Sequence, residues 1–268
     1  MHRTLFVLAL GACSFHTPSP AGSSGDTVDA DTGSPTMIDA SQPIAGCHTA
    51  DPNVRLCVDF EAPSLTPMVY DGSPLAHKND VTTQGIRAMD RNSEHAAQLD
   101  SGSTLTIAEA PTLDITGDLT IELWANPQVL PTDRYWMFDN NTQYGMELLA
   151  DGTVRCDLGN MVIDHPVSID AGSWVHLACV YASGKLSVYV DGSSVNACRN
   201  APRPPAGGKD GSAIGGNISG GHTVMQKFVG GIDNVAIYAT GLQPQAICAL
   251  ANHDDCGPYI CVTGPPGL

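Results

Sequence analysis

Eight cysteines in the body of the chain constrain its fold more than any other feature. They follow residue 45 and are Cys47, Cys57, Cys156, Cys179, Cys198, Cys248, Cys256 and Cys261. In an oxidising compartment an even set predicts four disulfides, and the CxxC spacing of redox and zinc sites does not occur. Because the cysteines fall into sequence groups of two, three and three, full pairing requires at least one long-range disulfide. We expect Cys47–Cys57 to be local and another disulfide to tie the C-terminal tail to the body.

A ninth cysteine, Cys13, closes a short apolar N-terminal stretch that predicts export. A weakly basic start and the apolar run 5–10 precede two small residues, and the run is too short to span a bilayer. The segment Leu10–Cys13 resembles a bacterial lipobox, which implies removal of the signal peptide 1–12 and attachment of lipid to Cys13. An ordinary signal peptide that is cleaved nearby is the alternative. Both interpretations place the protein outside the cytoplasm.

Residues 13–45 predict a disordered, lipid-anchored linker. They contain no Lys, Arg, Trp or Tyr, so they offer little surface to bury. Ser14 follows Cys13 where an inner-membrane retention signal would have aspartate, which favours the outer membrane or the cell surface. The whole chain carries a formal charge of −16, from 28 acidic and 12 basic residues. Such a charge argues against nucleic acid as a partner, and it leaves the lipid on Cys13 as the only membrane attachment.

From residue 46 onward the pattern is that of β-strands. Alternating apolar and polar residues over Leu119–Trp124 and a β-branched, aromatic run over Trp174–Tyr181 predict two of them. Only the stretch 244–252, with a proline in its first turn, predicts a helix. Many short strands and one short C-terminal helix predict an all-β protein, an antiparallel two-sheet sandwich. The last segment, 253–268, is predicted to be a tail pinned by disulfides.

Four segments together resemble a known family. They are 103–127, the hairpin 174–192, Ala213–Asn217 and 228–247. In this order and spacing they resemble the laminin-G-like, concanavalin A-like jelly-roll domains of bacterial surface proteins. The resemblance implies a jelly roll over residues 46–252, with two sheets packed face to face. It also implies that Trp124 and Trp174, which lie at family sandwich positions, are in the core.

The last predicted strand contains Asp233, whose role has two possible interpretations. The family's outward polar position falls at Ala236, so a two-residue period places Asp233 on the core face. Such an aspartate accepts backbone hydrogen bonds or helps to hold a cation. In the second case the cofactor would be structural calcium, with Asp59 or Glu61 as further ligands.

The sequence contains no recognised catalytic motif. The Glu-x-Asp-x-Glu strand of glycan-cleaving relatives is absent, and so are HExxH, GxSxG and the phosphate-binding glycine loop. His176 lies inside a strand motif and is expected to be a hydrogen-bonded packing residue. The chain is therefore predicted not to be an enzyme.

Binding is the function that remains. The segment 134–144 combines aromatic side chains with amides and an acid, as sugar sites do, and its candidate ligand residues are Trp136, Asp139, Asn140, Asn141 and Tyr144. Alternatively, alternate residues of 135–138 fill the core of a strand. A glycine-rich loop adds Asn217 and His222 as candidates.

The sequence thus predicts an exported, lipid-anchored recognition protein of the cell envelope. Its jelly-roll domain would bind carbohydrate or a surface protein without catalysis. The alternatives are a structural or assembly protein of the envelope that binds no sugar, and a glycan hydrolase whose site has no recognised motif.

Overall fold

Eighteen strands and one short helix make up the regular structure of the described residues, which are 51–194, 196–220, 223–259 and 261 of this computed structural model. The strands are β1 (Val54–Val58), β2 (Met68–Val69), β3 (Val81–Gln84), β4 (Arg87–Arg91), β5 (Glu94–Leu99), β6 (Thr104–Ile107), β7 (Leu119–Pro127), β8 (Arg134–Asn140), β9 (Tyr144–Leu149), β10 (Val154–Leu158), β11 (Met161–Asp164), β12 (Val175–Ala182), β13 (Lys185–Val190), β14 (Cys198–Asn200), β15 (Ser212–Ile214), β16 (Asn217–Ser219), β17 (Thr223–Met225) and β18 (Gly230–Tyr238). The helix, α1, is Pro244–Leu250, so the predicted C-terminal helix is confirmed.

The strands form two antiparallel sheets of eight strands each. Sheet I has the order β14-β13-β12-β7-β18-β5-β4, and β1 pairs with the second half of β18. Sheet II has the order β11-β10-β9-β8-β15-β6-β3-β2, and β16 and β17 form a separate hairpin. Neighbours in both sheets are often distant in sequence, as β3 and β6 are. This crossing of the chain between the sheets gives the predicted two-sheet sandwich.

The main core lies between the two sheets because apolar residues alternate along their strands. Ile121 and Leu123 of β7 contribute to it from sheet I, and Phe138 and Met146 contribute from sheet II. All four side chains are at most 1% exposed. Burial on this scale stabilises the fold by roughly 1.5–3 kcal/mol for each large side chain.

A second apolar cluster covers part of the outer face of sheet I. Ile247 and Leu250 of α1 belong to it, with Ala178, Ala236 and Tyr238 of the sheet beneath. His176 and Glu122 lie on this face too, and His176 Nε2 is 2.9 Å from Glu122 Oε2. His176 is fully buried in β12, which confirms its role as a packing residue.

A β-bulge corrects the predicted orientation of Asp233. Strand β18 shifts register against β7 between Asp233 and Ala236, and Asn234 has a φ of 47°. The extra residue moves Asp233 to the outer face of sheet I, opposite Trp124. A strict two-residue period fails here because the bulge adds one residue on one strand only.

The two tryptophans that were expected in the core lie on the outer face of sheet I instead. Trp124 pairs with Asp233 and His176, and Trp174 comes directly before Val175, which is a core residue. Both indoles are partly exposed. The core prediction was wrong because the positions next to them along the chain, Leu123 and Val175, face inward.

Three disulfides connect described cysteines. Cys156–Cys179 joins β10 of sheet II to β12 of sheet I through the core, and Cys248–Cys256 joins α1 to the segment that follows it. Cys198–Cys261 ties the tail to β14, which confirms the expected link between the tail and the body. Cys57 is also disulfide-bonded, but Cys47, its expected partner, lies outside the described residues.

The N-terminal predictions concern residues outside the described part of the chain. These are the signal peptide 1–12, the lipidation site Cys13 and the linker 13–45. Within the described part, α1 is the single helix, and no helix has the length and apolar character that crossing a membrane requires.

Candidate functional site

The outer face of sheet II carries a row of side chains that runs across all eight strands. Because alternate residues of each strand point outward, the strand pairings define this row directly. From one edge of the sheet to the other it consists of Met68, Thr82, Thr106, Ala213, Asp139, Gly145, Asp157 and Val162. One end of the row is therefore neutral, and the other carries carboxylates.

The hairpin β16–β17 lies over the middle of this face. The backbone N–H of Ile218 donates to Asp139 Oδ2 at 2.8 Å, and Trp136 Nε1 donates to Gln226 Oε1 at 3.1 Å. Trp136 also forms an isolated bridge with Lys227. The hairpin thus buries Asp139 and most of Trp136, and it divides the outer face into two halves.

The neutral half is a groove with a volume of about 640 Å³. Its floor is formed by β3 and β6 and its wall by Val224 of the hairpin, and the lining residues are Thr82, Thr83, Gln84, Thr104, Thr106, Ile107, Ala108 and Val224. We call it the threonine groove. Four of these residues, on adjacent strands, present a hydroxyl or an amide to solvent: Thr82, Gln84, Thr104 and Thr106. Among the described residues, no charged side chain lines it.

Two large, exposed side chains lie on β2 or directly after it, next to the strand β3 that forms part of the groove floor. Met68 lies opposite Thr82 at the edge of sheet II and is 39% exposed. Tyr70, two residues further along the chain, is 62% exposed and packs edge-on against His77 at a centroid distance of 5.0 Å. Two residues of extended chain span about 7 Å. A thioether therefore lies next to the row of hydrogen-bonding groups, and an exposed aromatic ring follows it two residues along the chain.

The other half of the face carries charges that are largely paired. Arg134 donates to Glu147 Oε2 at 3.0 Å, and Arg155 donates to both carboxylate oxygens of Asp164, at 2.6 and 2.9 Å. Glu147 lies opposite Arg155, so Asp157 is its diagonal neighbour. Glu147 itself is only 1% exposed.

Burial shifts the carboxylates of this face toward the protonated form. Desolvation raises the pKa of Asp139 to about 7, although the Ile218 N–H opposes the rise. Desolvation, together with the charge of Glu147, raises the pKa of Asp157 to about 6. The pKa of Glu147 is raised by burial, and Arg134 counteracts that effect. A carboxyl with a pKa near 6 could act as a proton donor, but only for a substrate that reaches it.

The predicted ligand loop 134–144 is corrected by the burial of its side chains. It forms β8, a turn and the start of β9, and Trp136, Asp139, Asn140 and Tyr144 are each at most 9% exposed. The Tyr144 hydroxyl donates to the Leu113 carbonyl at 2.7 Å, and Asn140 Nδ2 donates to the same carbonyl at 2.9 Å. Only Asn141, which donates to Asp210, remains partly accessible. The alternative interpretation, a buried strand, describes this segment better.

The other predicted site residues are not gathered into one site. Asn217 begins β16 and is partly exposed, while His222 lies outside the described residues. Asp233 binds Arg91, with its Oδ2 at 2.6 Å from the guanidinium, and Glu61 accepts a backbone N–H from His95. Within the described ranges, no three His, Cys, Asp or Glu side chains form a group that could hold a metal ion. The calcium set of Asp59, Glu61 and Asp233 is thus not assembled.

Comparison with known families identifies the family to which this two-sheet domain belongs. A laminin-G-type model of the concanavalin A-like lectin/glucanase superfamily matches residues 99–248, which is more than half of the chain. The chain belongs to this superfamily. The match confirms the resemblance to laminin-G-like, concanavalin A-like domains that the four sequence segments indicated, and it agrees with the two antiparallel sheets. No curated protein matches the chain.

Solved structures of concanavalin A-like folds resemble the domain. Domain 4 of AbnA, an extracellular arabinanase of Geobacillus stearothermophilus in complex with arabinotriose, has a TM-score of 0.56 and 21% identity; the match covers 74% of this chain and 98% of that one. A mutant Trypanosoma rangeli sialidase has a TM-score of 0.58 and 15% identity over 73% of this chain and 32% of that chain.

A toxin also matches: botulinum neurotoxin type C, whose cell entry depends on two ganglioside molecules. Its TM-score is 0.58 at 12% identity, and the match covers 75% of this chain and 51% of that chain. This chain thus spans about a third of the sialidase, half of the toxin chain and nearly all of the arabinanase domain. Identities this low show a common fold, and the neighbours include both enzymes and binding domains.

Sequence reasoning missed the threonine groove of this lectin/glucanase-like domain. A signal was present, because Thr82 and Gln84 alternate with inward residues, as Thr104 and Thr106 do. Alternation shows that these side chains point outward. It does not show that β3 and β6 are neighbours, since β4 and β5 intervene in the chain and belong to the other sheet.

Proposed function

We propose that this protein is a non-catalytic glycan-binding module of the cell envelope and that the threonine groove is its binding site. The observation that carries the proposal is the lining of the groove, which presents hydroxyls and an amide but no charge. Such groups exchange hydrogen bonds with sugar hydroxyls as both donors and acceptors. A neutral oligosaccharide fits this lining better than an ionic ligand, because no group in the groove compensates a charge.

Two further observations support a sugar ligand. Met68, opposite Thr82, and the exposed Tyr70 two residues further along the chain offer apolar surface to the C–H face of a sugar ring. One solved neighbour is a domain in complex with arabinotriose, and the cell entry of another depends on gangliosides. A protein ligand at the same groove is the alternative for a recognition module.

The non-catalytic part of the proposal rests on the carboxylate half of the face. Glycoside hydrolysis needs two carboxyl groups that both reach the scissile bond. Glu147 is 1% exposed and held by Arg134, so it cannot approach a substrate without breaking an ion pair. Asp157 alone, even with a pKa of about 6, does not supply both functions.

Removal of two hydroxyls from the groove should weaken binding. In the variant with Thr104→Val and Thr106→Val, the shape of the floor is kept and two hydrogen-bonding groups are lost. At about 1 kcal/mol for each bond, we expect the affinity for the best oligosaccharide on a printed array of neutral and sialylated glycans to fall about tenfold or more. Titration calorimetry would measure the change.

A matched variant separates this effect from a general loss of threonine hydroxyls. Thr116→Val changes an exposed threonine in the loop before β7, outside the lining, and should leave the affinity unchanged. Equal affinity of the groove variant and the parent protein would contradict the proposed site. Absence of binding to every glycan on the array would contradict the proposed ligand class.

We also propose that the module is anchored in the envelope by lipid on Cys13. Cells that express the full-length chain with an alkyne-labelled fatty acid should produce a labelled protein in the membrane fraction. Cys13→Ser should remove all of the label and release the protein, because a thioether to lipid cannot form at serine. A label that persists in the Cys13→Ser variant would contradict the anchor, and an unlabelled parent protein would favour an ordinary signal peptide.

A further inference from the structure

The outer face of sheet I, opposite the threonine groove, carries a second arrangement of aromatic and polar groups. Asn126 and Gln98 lie on either side of Gly231 in adjacent strands, and Arg87 pairs with Gln98 at the edge. Trp174 stands beside Asn126 because the next residue, Val175, pairs with Ala125. We call this surface the tryptophan face, formed by Trp124, Trp174, Asn126, Gln98 and Arg87.

Gly231 allows the indole of Trp174 to lie against the sheet. A Cβ at this position would come within 2.6 Å of Cη2 and 2.7 Å of Cζ2 of Trp174, and within 2.8 Å of Met89 Sδ. Any other residue would therefore lift the ring from the strand. The ring, which is partly exposed, forms a shallow platform whose neighbours are half-buried amides.

Arg91 holds the two indoles in place. Its guanidinium carbon is 4.4 Å from the ring centroid of Trp124 and 5.6 Å from that of Trp174. Its terminal nitrogen Nη1 is 2.6 Å from Asp233 and 3.1 Å from Glu94. The arginine side chain is 4% exposed, and its Nε–H has no acceptor among the described residues. A buried N–H of this kind normally meets a water or a ligand oxygen.

The charges of the tryptophan face are compensated internally. Arg91 is paired with two carboxylates, and Arg87 lies 3.4 Å from Asp100. The face therefore offers no excess positive charge to a polyanion, and each of these carboxylates is already held by an arginine. A ligand that matches it is neutral, presents an apolar C–H face to an indole, and carries hydroxyls for planar amides.

We infer that the tryptophan face is a second glycan-binding surface, specific for an uncharged sugar ring that stacks on Trp174 and bonds Asn126 and Gln98. This inference stands on its own observations and does not require the threonine groove to bind sugar. Because the two surfaces are on opposite sheets, one molecule that uses both can bridge two glycan chains.

The test is the same glycan array, probed with the full-length Cys13→Ser chain and with variants of each face. Trp174→Ala should lower the affinity for one subset of neutral glycans about tenfold or more, and Trp174→Phe should restore part of it because it keeps a ring. Gly231→Ala should have the effect of Trp174→Ala, since its methyl group displaces the indole. Thermal melting confirms that each variant is folded.

The outcomes distinguish the two surfaces. The second surface is supported if Trp174→Ala loses affinity for glycans that the variant with Thr104→Val and Thr106→Val still binds. If only the groove variant loses binding, the inference is overturned and the proposed groove stands. If only Trp174→Ala loses binding, the inference stands and the proposal that the groove binds glycan is overturned. A parent chain that binds no glycan overturns both.

Discussion

Arg91→Met should destabilise the domain by about 3–5 kcal/mol, because it leaves the carboxylate of Asp233 buried without its partner. Asp233 is 0% exposed, and Arg91 is its cation at 2.6 Å. The substitution also removes the contact that the guanidinium makes with both indoles, although methionine keeps much of the apolar volume. Urea denaturation of the parent protein and the variant would measure the difference in the free energy of unfolding.

The same strand supplies the control for this prediction. Arg87 also lies on β4 and is paired with an acid, but its side chain is 71% exposed. Arg87→Met should therefore change the free energy of unfolding by no more than about 0.5 kcal/mol. Equal effects of the two substitutions would contradict a special role for the buried pair.

The pH dependence of the Arg91→Met variant follows from the carboxyl that remains. Burial raises the pKa of Asp233 from 3.8 to about 7 even with Arg91 beside it, and loss of the guanidinium raises the pKa further. A raised pKa in the folded state contributes stability below pH 3.8 that is lost as the pH rises through about 7. Both proteins should thus lose stability between these values, and the variant should continue to lose stability above pH 7, where the parent protein no longer does. Asp233→Leu in the same chain should remove the extra loss.

Removal of the disulfide between Cys156 and Cys179 should lower the free energy of unfolding by about 3 kcal/mol. The disulfide closes a loop with a sequence separation of 23 and joins the two sheets through the core. Its loss increases the conformational entropy of the unfolded chain by an amount that grows with the logarithm of loop length. Denaturation of the double variant, Cys156→Ala with Cys179→Ala, would measure the change.

A second disulfide provides the comparison. Cys248 and Cys256 have a sequence separation of only 8, and they close a loop outside the sandwich. The matching double alanine variant should lose less stability because the closed loop is shorter and neither cysteine belongs to the main core between the sheets. A larger loss for this variant than for the Cys156 pair would contradict the structural argument.

The architecture was largely predictable from the sequence because its signals are local. Alternation in β7 and β12 and the hairpin to β13 each appear within a few residues, and all three strands fall in sheet I. The cysteines added a longer-range constraint, since groups of odd size force at least one distant disulfide. The Cys198–Cys261 disulfide joins two of these groups, and Cys156–Cys179 lies within one of them.

The sites were less predictable because they depend on which strands become neighbours. Trp136 was expected on a ligand loop, yet the hairpin β16–β17 covers it through a hydrogen bond from Trp136 to Gln226, 90 residues away. Asp233 faces outward and not toward the core, because a β-bulge that composition does not predict adds one residue to its strand. In the same way, the stacking of Trp174 on Gly231 depends on the pairing of two distant segments.

The central claim, that the threonine groove binds glycan, is tested most directly by amide chemical shifts. The isotope-labelled Cys13→Ser chain would be titrated with the neutral oligosaccharide whose array signal the Thr104→Val and Thr106→Val variant loses most strongly. We predict that the largest changes fall on Thr82, Thr104, Thr106 and Val224, which share the groove. Changes that leave these four amides unaffected, while the sugar still binds, would contradict the account.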